Sequence, residues 1–189
     1  MTISSVKTGA IGDSLLAGNA FFQPTSFESI ATVTGNGTAS SVTFSSIPAT
    51  YASLQLRISY LATTTKLFLR PNNDTNGANF ARHSLYADGA TVSALGAASS
   101  TNPFITNLAM DSDTTNPTVV IVDIHDYAST TKYKTVRVFT GIDMNGSGSI
   151  NLNSVLWMST TAISSLVIPN SNSNNYNTGS VFSLYGIKA

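Results

Sequence analysis

The sequence predicts an all-β fold: a β-sandwich, more narrowly a jelly roll, spanning residues 28–189 and preceded by an extended N-terminal arm over residues 1–27. Three observations predict it. Short runs rich in Val, Ile, Thr and aromatic residues recur along the chain, as strands require. Clusters of Gly, Pro, Asn and Asp separate them, and these residues favour turns for backbone reasons. Helical periodicity is scarce: Ser14–Asn19 has room for one turn, but Gly12 and Gly18 bracket it closely.

Taken in order, the arm carries sparse apolar anchors (Ile11, Leu15, Leu16, Phe21 and Phe22), a pattern suited to a terminus lying across a neighbour. The predicted strands then follow: Ile30–Thr34, Ser41–Phe44, Ser53–Tyr60, Lys66–Arg70, Phe80–Tyr86, Thr118–His125, Tyr133–Thr140, Asn151–Met158, Ile163–Ile168 and Ser180–Ile187. Gly35-Asn36-Gly37, Pro71-Asn72-Asn73-Asp74, Asn145-Gly146 and Pro169-Asn170 punctuate them. In Ser53–Tyr60 the residues Leu54, Leu56 and Ile58 share one face, the alternation of a half-buried strand. Thr118–Ile124 is nearly continuously apolar, which predicts a strand covered on both faces. Ala87–Asn116, rich in Ala, Ser and Thr, is the least regular stretch and reads as loops around one strand. In the last strand Phe182 and Leu184 point to one side and Val181, Tyr185 and Ile187 to the other. Tyr185 and Ile187 are therefore expected against the second sheet or a sister subunit.

Charge narrows the function classes. Nine basic residues balance nine acidic ones, and charged residues make up 10% of the 189. A neutral surface offers no counterion-release drive, so nucleic acid is not an expected partner. Surfaces built from Ser, Thr and Asn suit packed assemblies, where burying Lys or Glu would be costly. With no cysteine, disulfides and thiolate metal sites are excluded. No apolar run approaches the ~18 residues of a membrane-spanning helix, and Met1–Lys7 lacks the features of a signal peptide. Synthesis in the cytoplasm with no membrane partner is the expectation.

Three motifs invite chemistry. Gly12-Asp13-Ser14-Leu15 spells the nucleophile block of the GDSL/SGNH hydrolases. A nucleophilic serine needs a base and an orienting acid, which that family supplies as Asp-x-x-His. Here the residues three before His83 and His125 are Phe80 and Val122, and Asn73-Asp74 lacks the glycine of the family's Gly-x-Asn-Asp block. The motif reads as a polar turn. Asp143-Met144-Asn145-Gly146-Ser147 matches the start of an EF-hand loop, but position twelve is Ser154 and the flanks read as strands, so a hairpin connection explains the same letters. Asp123 and His125 share one strand face, as a surface pair or half of a metal site. His83 reads as a packing or hydrogen-bonding histidine. Trp157, Tyr51, Tyr60, Tyr127 and Tyr133 are candidate core anchors, with subunit contact or sugar stacking as the other uses. No catalytic constellation and no cofactor site assembles from these residues, so an enzyme is not expected.

An ordered series of segments carries a resemblance: Leu15-Leu16-Ala17-Gly18-Asn19, Phe27–Val33, Ser45–Leu54, Asn73–Phe80, Trp157 with Ala162-Ile163, and Gly179–Lys188. Together they resemble the virion structural proteins of tailed bacteriophages. The resemblance implies a non-enzymatic β-sandwich subunit of a symmetric particle. Its fullest form is a homotrimeric capsid decoration (cement) protein that binds the major capsid protein on the capsid surface. The alternative is a host-recognition or carbohydrate-binding module on a tail or fibre. Ile11, Leu15, Leu16, Phe21, Phe22, Tyr185 and Ile187 are the assembly-contact candidates.

Overall fold

The computed structural model describes residues 26–62, 66–98, 105–106 and 115–188. The arm anchors Ile11, Leu15, Leu16, Phe21 and Phe22, and the Gly12–Leu15 motif, lie outside the described residues. Among those described are eleven strands: β1 (Phe27–Thr34), β2 (Ser41–Phe44), β3 (Ser53–Tyr60), β4 (Arg70–Pro71), β5 (Phe80–Ala87), β6 (Val92–Ala98), β7 (Thr118–His125), β8 (Lys134–Asp143), β9 (Gly148–Trp157), β10 (Leu166–Pro169) and β11 (Val181–Ile187). One 3-10 turn, Gly77–Asn79, precedes β5.

Eight strands form one sheet in the order β1-β11-β3-β7-β8-β9-β5-β6, and three form a second in the order β2-β10-β4. Every pairing is antiparallel. The two ends of the described chain meet: β1 pairs with β11 and β2 with β10, while β3 and β4 add on the far sides of β11 and β10. That nesting is the wrapped ladder of a jelly roll, here widened by β8, β9, β5 and β6.

The period-two pattern decides which side chains enter the core. Leu54, Leu56, Ile58 and Tyr60 of β3 and Val120, Val122 and Ile124 of β7 are buried, and so are Val136, Val138, Val155, Trp157, Phe182 and Leu184. They join Val42, Phe44, Leu166 and Ile168 of the small sheet in a single cluster. Ile105 seals part of it. Its carbonyl accepts hydrogen bonds from Asn153 Nδ2 (3.0 Å) and Thr140 Oγ1 (3.3 Å), so two polar side chains on the inner face find a partner.

Turn chemistry follows the expected residues. Asn72 and Asn73 hold positive φ after the short β4. The Asn72 side chain donates to the Ala162 carbonyl (2.8 Å) and accepts from Ser164 N (2.9 Å) and Ser165 N (3.1 Å). One amide thus joins two turns far apart in sequence. Between β8 and β9, Asn145 and Gly146 have φ of 52° and 114°, and Asp143 Oδ1 accepts from Asn145 N. The EF-hand-like letters form this hairpin.

Several expectations are corrected. Lys66–Arg70 contributes a bridge at Leu67 and a strand of only Arg70–Pro71. As expected, Ala87–Asn116 holds one strand of its own among the described residues, β6, and it is the edge of the large sheet. Thr118–Ile124 is covered on one face only: Val120, Val122 and Ile124 are buried, whereas Val119 is 49% exposed. Tyr185 does not face the second sheet; it shares the half-buried outer face with Ile187, and the Arg57 guanidinium lies 5.1 Å from its ring centroid and 5.2 Å from that of Phe27. Phe182 and Leu184 do face the core.

Candidate functional site: an apolar groove on the outer face of the large sheet

The outer face of the large sheet follows from strand register. One row across it runs Gln55, Asp123, Arg137, Ser154, His83, Gly96. The next row runs Ile121, Phe139, Leu152, Leu85, Ala94, and beyond it lie Val119, Gly141, Ile150, Ala87 and Val92. The first row is polar. The other two are apolar over five adjacent strands, about 19 Å at the usual strand spacing.

Phe139, Leu152, Leu85, Ile150, Val119 and Val92 are each between 46% and 72% exposed. Together they present on the order of 500 Å² of apolar side-chain surface, comparable to the largest patch on a typical monomer, which is often functional. Between the polar and apolar rows runs a groove of about 730 Å³, floored by the backbone around Val138, Asn153 and Ser84. His83 stands at one end. A Cβ on Gly96 would come within 3.2 Å of its ring, so the glycine leaves the imidazole its place over β6. Asp123 accepts a hydrogen bond from Gln55 Nε2 at 2.8 Å, and its register partner on β8 is Arg137. The groove therefore offers an apolar wall facing one that carries both signs of charge. Ser154 and His83, both in its lining, are register partners on β9 and β5.

The remaining sequence candidates fall elsewhere. His125 is exposed at the end of β7. Among the described residues no three metal-ligating side chains converge. The aromatics divide. Trp157, Tyr60 and Tyr127 are buried anchors, as the core reading expects, Tyr51 packs against the core, and Tyr133 is 55% exposed. Trp157 Nε1 donates to Asp74 Oδ2 at 2.7 Å, and Asn79 Nδ2 donates to the same oxygen at 2.8 Å. Burial by itself would raise the Asp74 carboxyl, but the bonds from Trp157, Asn79 and the Asn76 N–H outweigh it and hold the pKa below the ordinary value. Burial pushes the Tyr60 phenol up to about 12.

Sequence reasoning missed the apolar strip, although its signal was present. Val119 and Ile121 have the opposite parity to the core residues of their strand, and so do Phe139, Ile150, Leu152 and Leu85 of theirs. Apolar residues of the wrong parity on four neighbouring strands predict a second covered face, but only once the strand order is known. No protein-family model, curated protein or solved structure matches the chain.

Proposed function

We propose that the protein is a non-enzymatic structural subunit of a bacteriophage virion: a homotrimeric capsid decoration protein that docks on the major capsid protein through the outer face of its large sheet. The observation that carries this reading is the contiguous strip of Phe139, Leu152, Leu85, Ile150, Val119 and Val92, a patch of the size that is often functional on a protein surface. The low charge supports it, because few Lys or Glu side chains would need desolvation in a packed lattice. A jelly roll supplies a rigid platform for such a face, and a weak contact repeated over a shell adds up by multivalency. Residues of the arm, Ile11, Leu15, Leu16, Phe21 and Phe22, extend the docking to neighbouring capsomers in this account.

The test is incorporation. Phe139→Lys/Leu152→Lys changes only exposed positions, so it should fold like wild type, within about 0.5 kcal/mol per site. Tagged wild-type protein should co-sediment with phage particles formed in its presence, and the double variant should not. Equal incorporation of the variant would refute the docking face; absence of wild-type protein from heads would refute the capsid reading.

The polar wall of the groove favours a second reading, a carbohydrate-binding module on a tail or fibre. Asp123, Arg137, Ser154 and His83 opposite Phe139 could hold a sugar by hydrogen bonds and stacking. Saturable glycan binding lost in Arg137→Ala, with the protein mapping to the tail, would decide for it.

A further inference from the structure

The large sheet ends in two edges that differ in kind. The β1 edge is guarded. A bulge interrupts its register between Ser29 and Ala31, and the exposed Glu28 pairs with Lys188 at 2.7 Å. Bulges and charges are the ordinary means by which an edge avoids pairing with another chain. The β6 edge has neither. Val92-Ser93-Ala94-Leu95-Gly96-Ala97-Ala98 holds no charge and no proline, and its seven residues pair with β5 in unbroken register. Among the described residues no strand lies on its other side. Val92, Ala94, Leu95, Gly96 and Ala98 are all exposed. Both edges of the small sheet are short, four residues in β2 and two in β4. The β6 edge is thus the long open edge of the described fold.

We infer that β6 pairs antiparallel with β6 of a second copy of this chain, joining two large sheets into one continuous sheet. The edge suits itself. With a twofold axis at Leu95, Ala94 of one copy faces Gly96 of the other and Ser93 faces Ala97. Every facing pair is then small or apolar, and no like charges meet. The same pairing brings together the two apolar strips, because Val92 and Ala94 are their β6 ends.

Area sets the strength. A seven-residue edge is about 24 Å long and a sheet with its side chains about 10 Å thick, so the contact buries roughly 500 Å² in total. That is below the size of a standard stable interface, with main-chain hydrogen bonds as the main attraction. The pairing is therefore weak and concentration-dependent, and is sought from about 10 μM to 1 mM. It is separate from the threefold contact of the proposed trimer and from capsid docking, and it stands if either fails.

The experiment is sedimentation equilibrium of the full chain across that concentration range, with hydrogen exchange read at residues 92–98. Wild type should show a doubling of mass, from whatever assembly prevails when dilute, with the β6 amides slowing at least tenfold. Leu95→Lys places like charges at the twofold axis and should abolish both effects. Ala94→Lys, on the opposite face of the strand, should do the same and covers the case in which Leu95 matters to folding. The inference is overturned if wild type shows no concentration dependence. It is equally overturned if the doubling survives both substitutions. Loss in Phe139→Lys/Leu152→Lys alone would point to the sheet face, and loss only on deletion of residues 2–24 would point to the arm; either outcome also overturns it.

Discussion

Replacing Lys134 with Met should destabilise the protein even though the site is buried. The side chain is 0% exposed at the start of β8, facing the core. Its ammonium donates to the carbonyls of Ser129 (2.7 Å), Ser159 (3.2 Å) and Thr161 (2.7 Å) and lies 5.6 Å from the Trp157 ring centroid. Three carbonyls from two loops thus converge on one cation. Burial lowers the lysine pKa, which records the cost of holding the charge there. Met matches the length and removes that cost, several kcal/mol for a buried ion. It also strands three carbonyls whose bonds to a charged donor contribute about 1.5–3 kcal/mol each. The bonds outweigh the desolvation, leaving a net loss of about 2–4 kcal/mol. For a chain of this size that lowers Tm by roughly 5–15 °C. Thermal unfolding followed by circular dichroism, with fluorescence of the single Trp157 as a local probe, reads the effect. Hydrogen exchange at Ile163, whose N–H donates to the Tyr127 carbonyl, should quicken as the loop loosens. A Met variant as stable as wild type, or more stable, would refute the reasoning and class Lys134 with buried charges that apolar residues replace at no loss.

Two more outcomes follow from contacts already described. Asp74→Ala leaves the buried Trp157 N–H without its acceptor, so a loss of about 1–2 kcal/mol and a shifted Trp emission are expected at neutral pH. Because the folded pKa is depressed, the wild-type carboxylate stabilises above its unfolded value of about 4 and loses that contribution as pH falls through the folded value. The variant should lack this share of acid sensitivity in denaturant titrations at pH 2–5, and parallel pH profiles would count against the assignment. Gly186→Ala drives a Cβ into the Tyr51 ring and should cost about 1–3 kcal/mol by overpacking; Tyr51→Ala/Gly186→Ala should cost less than the sum of the single changes, and strict additivity in urea unfolding would show that the two do not touch.

Much of the fold was legible because its signals are local. Ser41–Phe44, Ser53–Tyr60 and Thr118–His125 occur with the predicted bounds, since alternation and turn residues act within a few positions. The inward parity of Phe182 and Leu184 was legible for the same reason. The strand expected within Ala87–Asn116 was legible only as present in that stretch, and its bounds, Val92–Ala98, were not. Its Ala, Gly and Ser residues carry little β-propensity, and pairing with β5 holds it in place. The short β4 was overestimated, because Leu67, Phe68 and Leu69 are buried without forming a regular strand.

The sequence by itself determined the class of the molecule: β-strands from the two-residue period, a low-charge surface from composition, and hairpins where Asn and Gly allow positive φ. Tertiary structure alone decided the site. An apolar residue of the wrong parity is unremarkable on a single strand, since scattered exposed apolar side chains are normal. It becomes a surface only when β7, β8, β9 and β5 stand side by side, bringing Val119, Phe139, Leu152 and Leu85 within reach of one another across long loops. The same holds for β6, whose bare edge exists only because the strand order places it last. Strand order is set by the packing of the whole chain, and no short window of sequence contains it.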